Sequence, residues 1–217
     1  ELLNAVSSEL YFRSGSTFTA PKLQAWSGGR IDMADGVSLA FPDLTQLSVD
    51  LNMVDISSFV AEQLIQFDGT QSSVTLTPLR TFTTGGLLHV NNAQFHARDG
   101  VTWGVSTGDF AADSYASTSR WYAAYGARTN TYDLFTSSGS SAVLDLSTLQ
   151  KINAGFNDND GDDTNVQRIR AWDTGQIDLS SVQTITAPYQ EWDDRLEFHV
   201  DGTSVIDLSS LQSITSA

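Results

Sequence analysis

The sequence predicts an all-β protein, a single-domain parallel β-solenoid (a parallel β-helix) with coils of roughly twenty residues spanning 1–217. Three observations predict it. A nine-residue phrase recurs along the chain, reading Ile-Asp-Leu-Ser-Ser-Val-Gln-Thr-Ile at Ile177 to Ile185, Ile-Asp-Leu-Ser-Ser-Leu-Gln-Ser-Ile at Ile206 to Ile214 and Leu-Asp-Leu-Ser-Thr-Leu-Gln-Lys-Ile at Leu144 to Ile152. Apolar residues within and between the copies alternate with period two, and no 3.6-residue pattern competes with them. Turns built on Asp-Gly, Ser-Gly and Thr-Gly punctuate the strands, because glycine accepts positive φ.

Apolar residues hold positions 1, 3, 6 and 9 of the phrase, which serves as a ruler for the rest of the chain. Phe18 to Trp26 and Val74 to Phe82 are worn copies. Val37-Ser38-Leu39 followed by Leu44 and Leu47 fits with a two-residue insertion around Pro42, and Val54 to Phe59 fits the first six positions. Phe95-His96-Ala97, resuming at Val101 and Trp103, fits with one extra residue, and Phe110, Ala112 and Tyr115 form a remnant. Early copies start 17 to 21 residues apart; the later spacings of 33 and 29 contain insertions. These are read as a long insertion at about 104–140 and loops at 154–166 and 187–195. A second strand ending in a glycine turn precedes the phrase at Leu10 to Gly15, Leu64 to Gly69, Ile169 to Gly175 and Leu196 to Gly202.

One coil cannot bury four apolar positions by itself. Stacking coils about 4.8 Å apart sets Ile177 between Leu144 and Ile206, and Leu179 between Leu146 and Leu208. Each buried side chain then contributes about 1.5 to 3 kcal/mol. The recurrent Gln24, Gln150, Gln183 and Gln212 are placed to form a ladder along the stack.

The phrase resembles the repeats of right-handed parallel β-helix domains in large secreted bacterial proteins, among them surface adhesins and multidomain carbohydrate-active enzymes. Its Leu-x-x-Leu spacing is also similar to leucine-rich and receptor L-type solenoids, an alternative fold. The resemblance implies a secreted or cell-surface bacterial protein.

Composition narrows the function further. With no cysteine, the chain has neither a disulfide framework nor a cysteine metal site. A formal net charge of -15 argues against nucleic acid, whose phosphates need clustered Lys and Arg. No apolar run approaches the length of a membrane-spanning helix, so no membrane insertion is expected. The chain starts at Glu1 and finishes at Ala217 directly after a repeat, which reads as a segment cut from a longer or processed protein. The last copy offers an uncapped edge suited to end-to-end self-association.

Two constellations carry candidate chemistry. Trp172 and Trp192, with Trp121, Tyr122 and Tyr125, fall outside the inward register held by Phe18, Trp26, Phe82 and Phe95. Flat aromatic faces stack on sugar rings, so these five residues are read as a polysaccharide-binding surface, with Trp172 and Trp192 of adjacent coils as one platform. Asn157 to Asn165 alternates carboxylates and amides around Gly161. Asp158, Asp160, Asp162 and Asp163 there offer the hard oxygen ligands Ca²⁺ prefers, although the pattern is not an EF-hand. A structural reading competes in each case: buried or capping aromatics, and a solvated acidic loop. Arg168 and Arg170 beside that loop are the nearest thing to a catalytic pair, yet the three histidines lack metal-ligand spacing and no nucleophile or phosphate motif is present. The expectation is a non-catalytic module that binds an extracellular polysaccharide, with Ca²⁺ at the acidic loop. An adhesive stalk is the main alternative; an ice-binding protein, from the Thr-x-Thr pairs, and a polysaccharide lyase fragment are further ones.

Overall fold

The computed structural model of the chain describes residues 4–54, 56–69, 72–117, 129–155, 164–188 and 194–216. Among these, each coil returns beside the preceding one, and every pairing between named strands is parallel. The first three coils contain two strands each: β1 (Asn4–Phe12) and β2 (Thr17–Thr19), β3 (Ala25–Met33) and β4 (Ser38–Ala40), β5 (Gln46–Met53) and β6 (Ser57–Val60). From the fourth coil the long strand is replaced by two. That coil holds β7 (Gln66–Asp68), β8 (Ser73–Leu76) and β9 (Arg80–Thr83), and the fifth holds β10 (His89–Asn91), β11 (Gln94–Arg98) and β12 (Thr102–Gly104). The sixth follows with β13 (Ser114–Ala116), β14 (Thr129–Ser138) and β15 (Val143–Asp145), and the seventh with β16 (Lys151–Asn153), β17 (Thr164–Trp172) and β18 (Gln176–Asp178). β19 (Thr184–Ala187), β20 (Arg195–Val200) and β21 (Val205–Asp207) form the eighth, and β22 (Ser213–Ser216) follows. The stretch 104–140, expected as an insertion, thus contributes two strands to the walls. No helix among the described residues is long and apolar enough to cross a membrane.

The pairing confirms the stacking of the strongest copies. Leu144, Ile177 and Ile206 lie side by side, as do Ile152, Ile185 and Ile214. It corrects the register of the weaker ones. Phe18 pairs with Leu39, Leu39 with Phe59 and Phe59 with Phe82, so the phrase in these coils begins at Leu39, Phe59 and Phe82 rather than at Val37, Val54 and Val74. Read so, Leu39-Phe41-Leu44-Leu47 and Phe59-Ala61-Leu64-Phe67 need no insertion. The next copy begins at Trp103, which pairs with Leu144, and Tyr115 closes it beside Val90 and Ile152. Val74 and Phe95 belong to another column, Val74-Phe95-Phe135-Ile169-Phe198, on a neighbouring wall. Leu64 to Gly69 is the second half of a phrase and not a preceding strand. The slip has a simple cause: every wall shows the same period-two alternation, so a pattern match moves from one wall to the next undetected.

These columns fill the interior. Phe41, at the third position of its copy, packs on Phe59 with ring centroids 5.3 Å apart, and in the first-position column Phe59, Phe82 and Trp103 stack along the axis at 5.4 and 6.3 Å. Phe18 shares the column but is 37 % exposed, β2 being the outermost described strand of its sheet. The Asp-Leu-Ser part of the phrase makes the corner. Asp145, Asp178 and Asp207 each accept, through Oδ1, the backbone N–H two residues on, from Ser147, Ser180 and Ser209 at 3.2, 2.9 and 2.9 Å. The recurrent glutamines are exposed and their backbone carries the ladder, with Gln183 N–H bonded to Gln150 C=O at 2.8 Å and Gln212 N–H to Gln183 C=O at 2.9 Å.

Besides register shifts at Ser27/Arg30 and Asp133/Phe135, two places among the described residues depart from regular stacking. β5 pairs through Gln46–Ser48 with β7 and through Asn52 with β8, so one wall becomes two. The fork leaves the backbone between them without strand partners. Buried Ser72 fills the gap, its Oγ accepting Leu51 N–H at 2.7 Å and donating to Val49 C=O at 2.8 Å. The second departure lies between β9 and β12, the facing edges of two separate four-stranded sheets, β2-β4-β6-β9 and β12-β15-β18-β21. There the Trp103 indole Nε1–H donates to Phe82 C=O at 2.8 Å in place of a strand bond.

These observations give opposite expectations for two buried serines. Ser72→Ala orphans a buried N–H and a buried C=O and should cost about 2 to 3 kcal/mol in urea denaturation. The Ser57 hydroxyl is buried without a partner, so Ser57→Ala should be neutral or stabilising by about 1 kcal/mol or less. Equal losses in the two variants would contradict the assigned role of Ser72.

Candidate functional site

The register of β14, β17 and β20 dictates what their outer face presents. Ile169 and Ala171 point inward and are buried, so Arg168, Arg170 and Trp172 point outward. Asp133 stands beside Arg168 and Arg168 beside Glu197; Thr136 stands beside Arg170 and Arg170 beside His199; Ser138 stands beside Trp172. Arg168 Nε donates to Asp133 Oδ1 at 2.7 Å and Arg170 Nη1 to Asp133 Oδ2 at 3.3 Å, so one carboxylate holds two guanidinium groups. Arg195 Nε lies 2.5 Å from Glu197 Oε1, and His199 Nε2 lies 2.8 Å from Oε2. The bond from Arg195, and then that from His199, holds the Glu197 carboxyl below its ordinary range.

Trp172 is half-buried. Arg170 lies over its ring, 4.7 Å from the centroid, a cation–π contact that fixes both groups. Together with Phe198, His199, Val200 and Asp201 they line an open depression of about 310 Å³. The turn beyond Trp172 is strained. Asp173 (φ 50°) and Thr174 (φ 68°) take the left-handed conformation, which Gly139 and Asp99 hold at the position of Asp173 in the two preceding coils. Gly175 is required for space, since a Cβ there would fall 2.2 Å from Ser137 O. The next coil holds this turn: Asp173 N–H donates to Asp201 Oδ1 at 3.3 Å and Thr174 N–H to Ser204 Oγ at 3.0 Å.

Of the residues expected to bind ligand, Trp172 is on this face. Trp121, Tyr122, Tyr125, Trp192, Asp158, Asp160, Asp162 and Asp163 lie outside the described residues. Their flanks are placed, however. β13, β16 and β19 pair in succession, and so do β14, β17 and β20, so the chain leaves and re-enters the walls at the same corner in three consecutive coils. At that corner Asp194 Oδ1 accepts Asn165 N–H at 2.6 Å. Trp172 stands at the other end of β17, about 25 Å away at roughly 3.3 Å per residue. Trp172 and Asp194 therefore stand at opposite ends of one face. The Thr-x-Thr pairs likewise divide between walls, Thr81 and Thr83 on β9 and Thr184 and Thr186 on β19. Among the described residues no group of three His, Asp or Glu is arranged to hold a metal ion.

Reading the sequence alone missed Asp133, the partner of both Arg168 and Arg170. It sits 35 residues before Arg168, and the signal that reveals it is register, visible only once the coils are aligned. Comparison with protein-family models, curated proteins and solved structures finds no match.

His96 extends the Arg170 column one coil beyond Thr136. It is 6 % exposed, its Nδ1 lies 2.8 Å from Thr136 Oγ1, and burial pushes its pKa down to about 4; Asp133 opposes this weakly and Arg98 adds to it. The unfolded chain therefore binds a proton between pH 6.5 and 4 that the folded chain refuses, and stability present above pH 6.5 is lost as the pH falls through that window. By pH 5 the loss from this group should reach about 2 kcal/mol. Urea midpoints measured at pH 7 and pH 5 should show it, and His96→Gln should reduce the difference.

Proposed function

We propose that the chain is a non-catalytic carbohydrate-binding module whose rigid solenoid presents the Trp172 depression and the adjoining β17/β20 face to an extracellular polysaccharide. The observation that carries this reading is the half-exposed Trp172 ring, oriented by Arg170 and rimmed by hydrogen-bonding His199 and Asp201. An aromatic face with a few directed polar groups is the arrangement that takes a sugar, whose ring has apolar faces and a hydroxyl edge. The carboxylates on this face are bonded to guanidinium groups, which suits orienting them rather than proton transfer. The corner where 118–128, 156–163 and 189–193 join the walls brings the flanks of Trp121, Tyr122, Tyr125 and Trp192 to the far end of the same face. Ca²⁺ held by Asp158, Asp160, Asp162 and Asp163 belongs to this reading as an aid at that corner. The uninterrupted apolar columns favour a second reading, a stalk that extends and presents other domains.

Affinity electrophoresis through a panel of polysaccharides, with and without chelator, separates the two. A binding module is retarded by at least one glycan. Trp172→Ala should abolish the retardation while moving the thermal midpoint by no more than about 4 °C, a half-exposed ring on an outer face contributing little to the core. A large drop in midpoint would return Trp172 to a structural role.

A further inference from the structure

We infer that the polysaccharide is acidic, a chain bearing carboxylate or sulfate groups, bound along β17 and β20 by the guanidinium forks of Arg168 and Arg170 with Trp172 stacking at one end. This rests on the binding reading above and specifies its ligand class. The chain has eleven Lys and Arg against twenty-six Asp and Glu. Against that balance, β17 and β20 place Arg168, Arg170 and Arg195 on one outer face, with His199 among them. Among the described residues the carboxylates beside them are Asp133, Glu197 and, next to Trp172, Asp201, so the three arginines meet their anions one for one where the whole chain has more than two anions per cation. Asp201, on the rim, is engaged by the Asp173 amide.

The ion pairs orient the forks without saturating them. A guanidinium carries five N–H groups. Arg168 turns Nε and Arg170 turns Nη1 toward Asp133, and their side chains remain 26 % and 31 % exposed, which leaves N–H groups for an incoming anion. A planar fork held in place by a neighbouring carboxylate recognises carboxylate or sulfate in bidentate fashion. Arg168 and Arg170 alternate along one strand about 7 Å apart, a separation suited to charged groups on a chain running with the strand. A neutral glycan would need the Trp172 ring and hydroxyl partners but gives no reason for two arginines anchored by one aspartate.

The test uses two acidic polymers, polygalacturonate and dextran sulfate, each beside a counterpart lacking charge, methyl-esterified polygalacturonate and dextran. Because the protein is itself strongly acidic, bulk attraction cannot produce retention on a polyanion. We expect retention on at least one acidic polymer, little or none on its neutral counterpart, and weakening as NaCl rises from 50 to 500 mM, about the range over which exposed charges are screened. Arg168→Gln and Arg170→Gln should each weaken binding about tenfold or more, Arg170→Lys less, with unchanged circular dichroism in all three. Equal retention on charged and neutral polymers would overturn the acidic class and leave the binding module standing. Acidic retention that survives the double Gln variant would overturn its assignment to this face. No retention on any of the four would overturn both.

Discussion

Everything in this molecule depends on apolar side chains of successive coils lying directly over one another. The ladder of backbone bonds between coils holds them about 4.8 Å apart, which is also close to the contact distance of stacked aliphatic and aromatic groups. Each inward residue therefore touches its counterparts above and below, and the column Phe18, Leu39, Phe59, Phe82 shows how residue type can vary within that rule. The corners obey a second local rule, a carboxylate that caps the amide two residues on, which lets the wall turn without exposing an unpaired N–H.

The fold was largely legible because the best copies, at 144, 177 and 206, carry both rules at once: apolar residues at 1, 3, 6 and 9, and Asp-Leu-Ser at the corner. Earlier coils lose the corner. Leu39-Ala40-Phe41 and Phe59-Val60-Ala61 have no aspartate at the second position, so only hydrophobic alternation remained, and that alternation is common to all walls. Hence the register slipped by two residues at Val37 and by more at Val54 and Val74. The fork at β5 left no trace in hydrophobicity either, because a single hydroxyl, that of Ser72, makes it possible.

The candidate site was legible residue by residue but not as geometry. Trp172 stood out by falling between inward positions, and it is indeed an outward residue. What surrounds it comes from other coils: Asp133 from the coil before, and His199, Asp201 and Ser204 from the coil after. In a solenoid a surface site is assembled from residues roughly one coil apart, and the insertions at 118–128 and 156–163 stretch that interval irregularly. Spacing along the chain then no longer predicts proximity, and register does.

The break between β9 and β12 has a mechanical meaning. Apart from the fork at β5, successive coils pair along their walls, but here β9 and β12 do not pair, and the Trp103 indole N–H, the Thr84 and Asp109 contacts and a backbone bridge between Leu87 and Phe110 join the two sides. The column is thus least bonded between its fourth and fifth coils, and the outer face of β17 and β20 lies wholly on one side of that place.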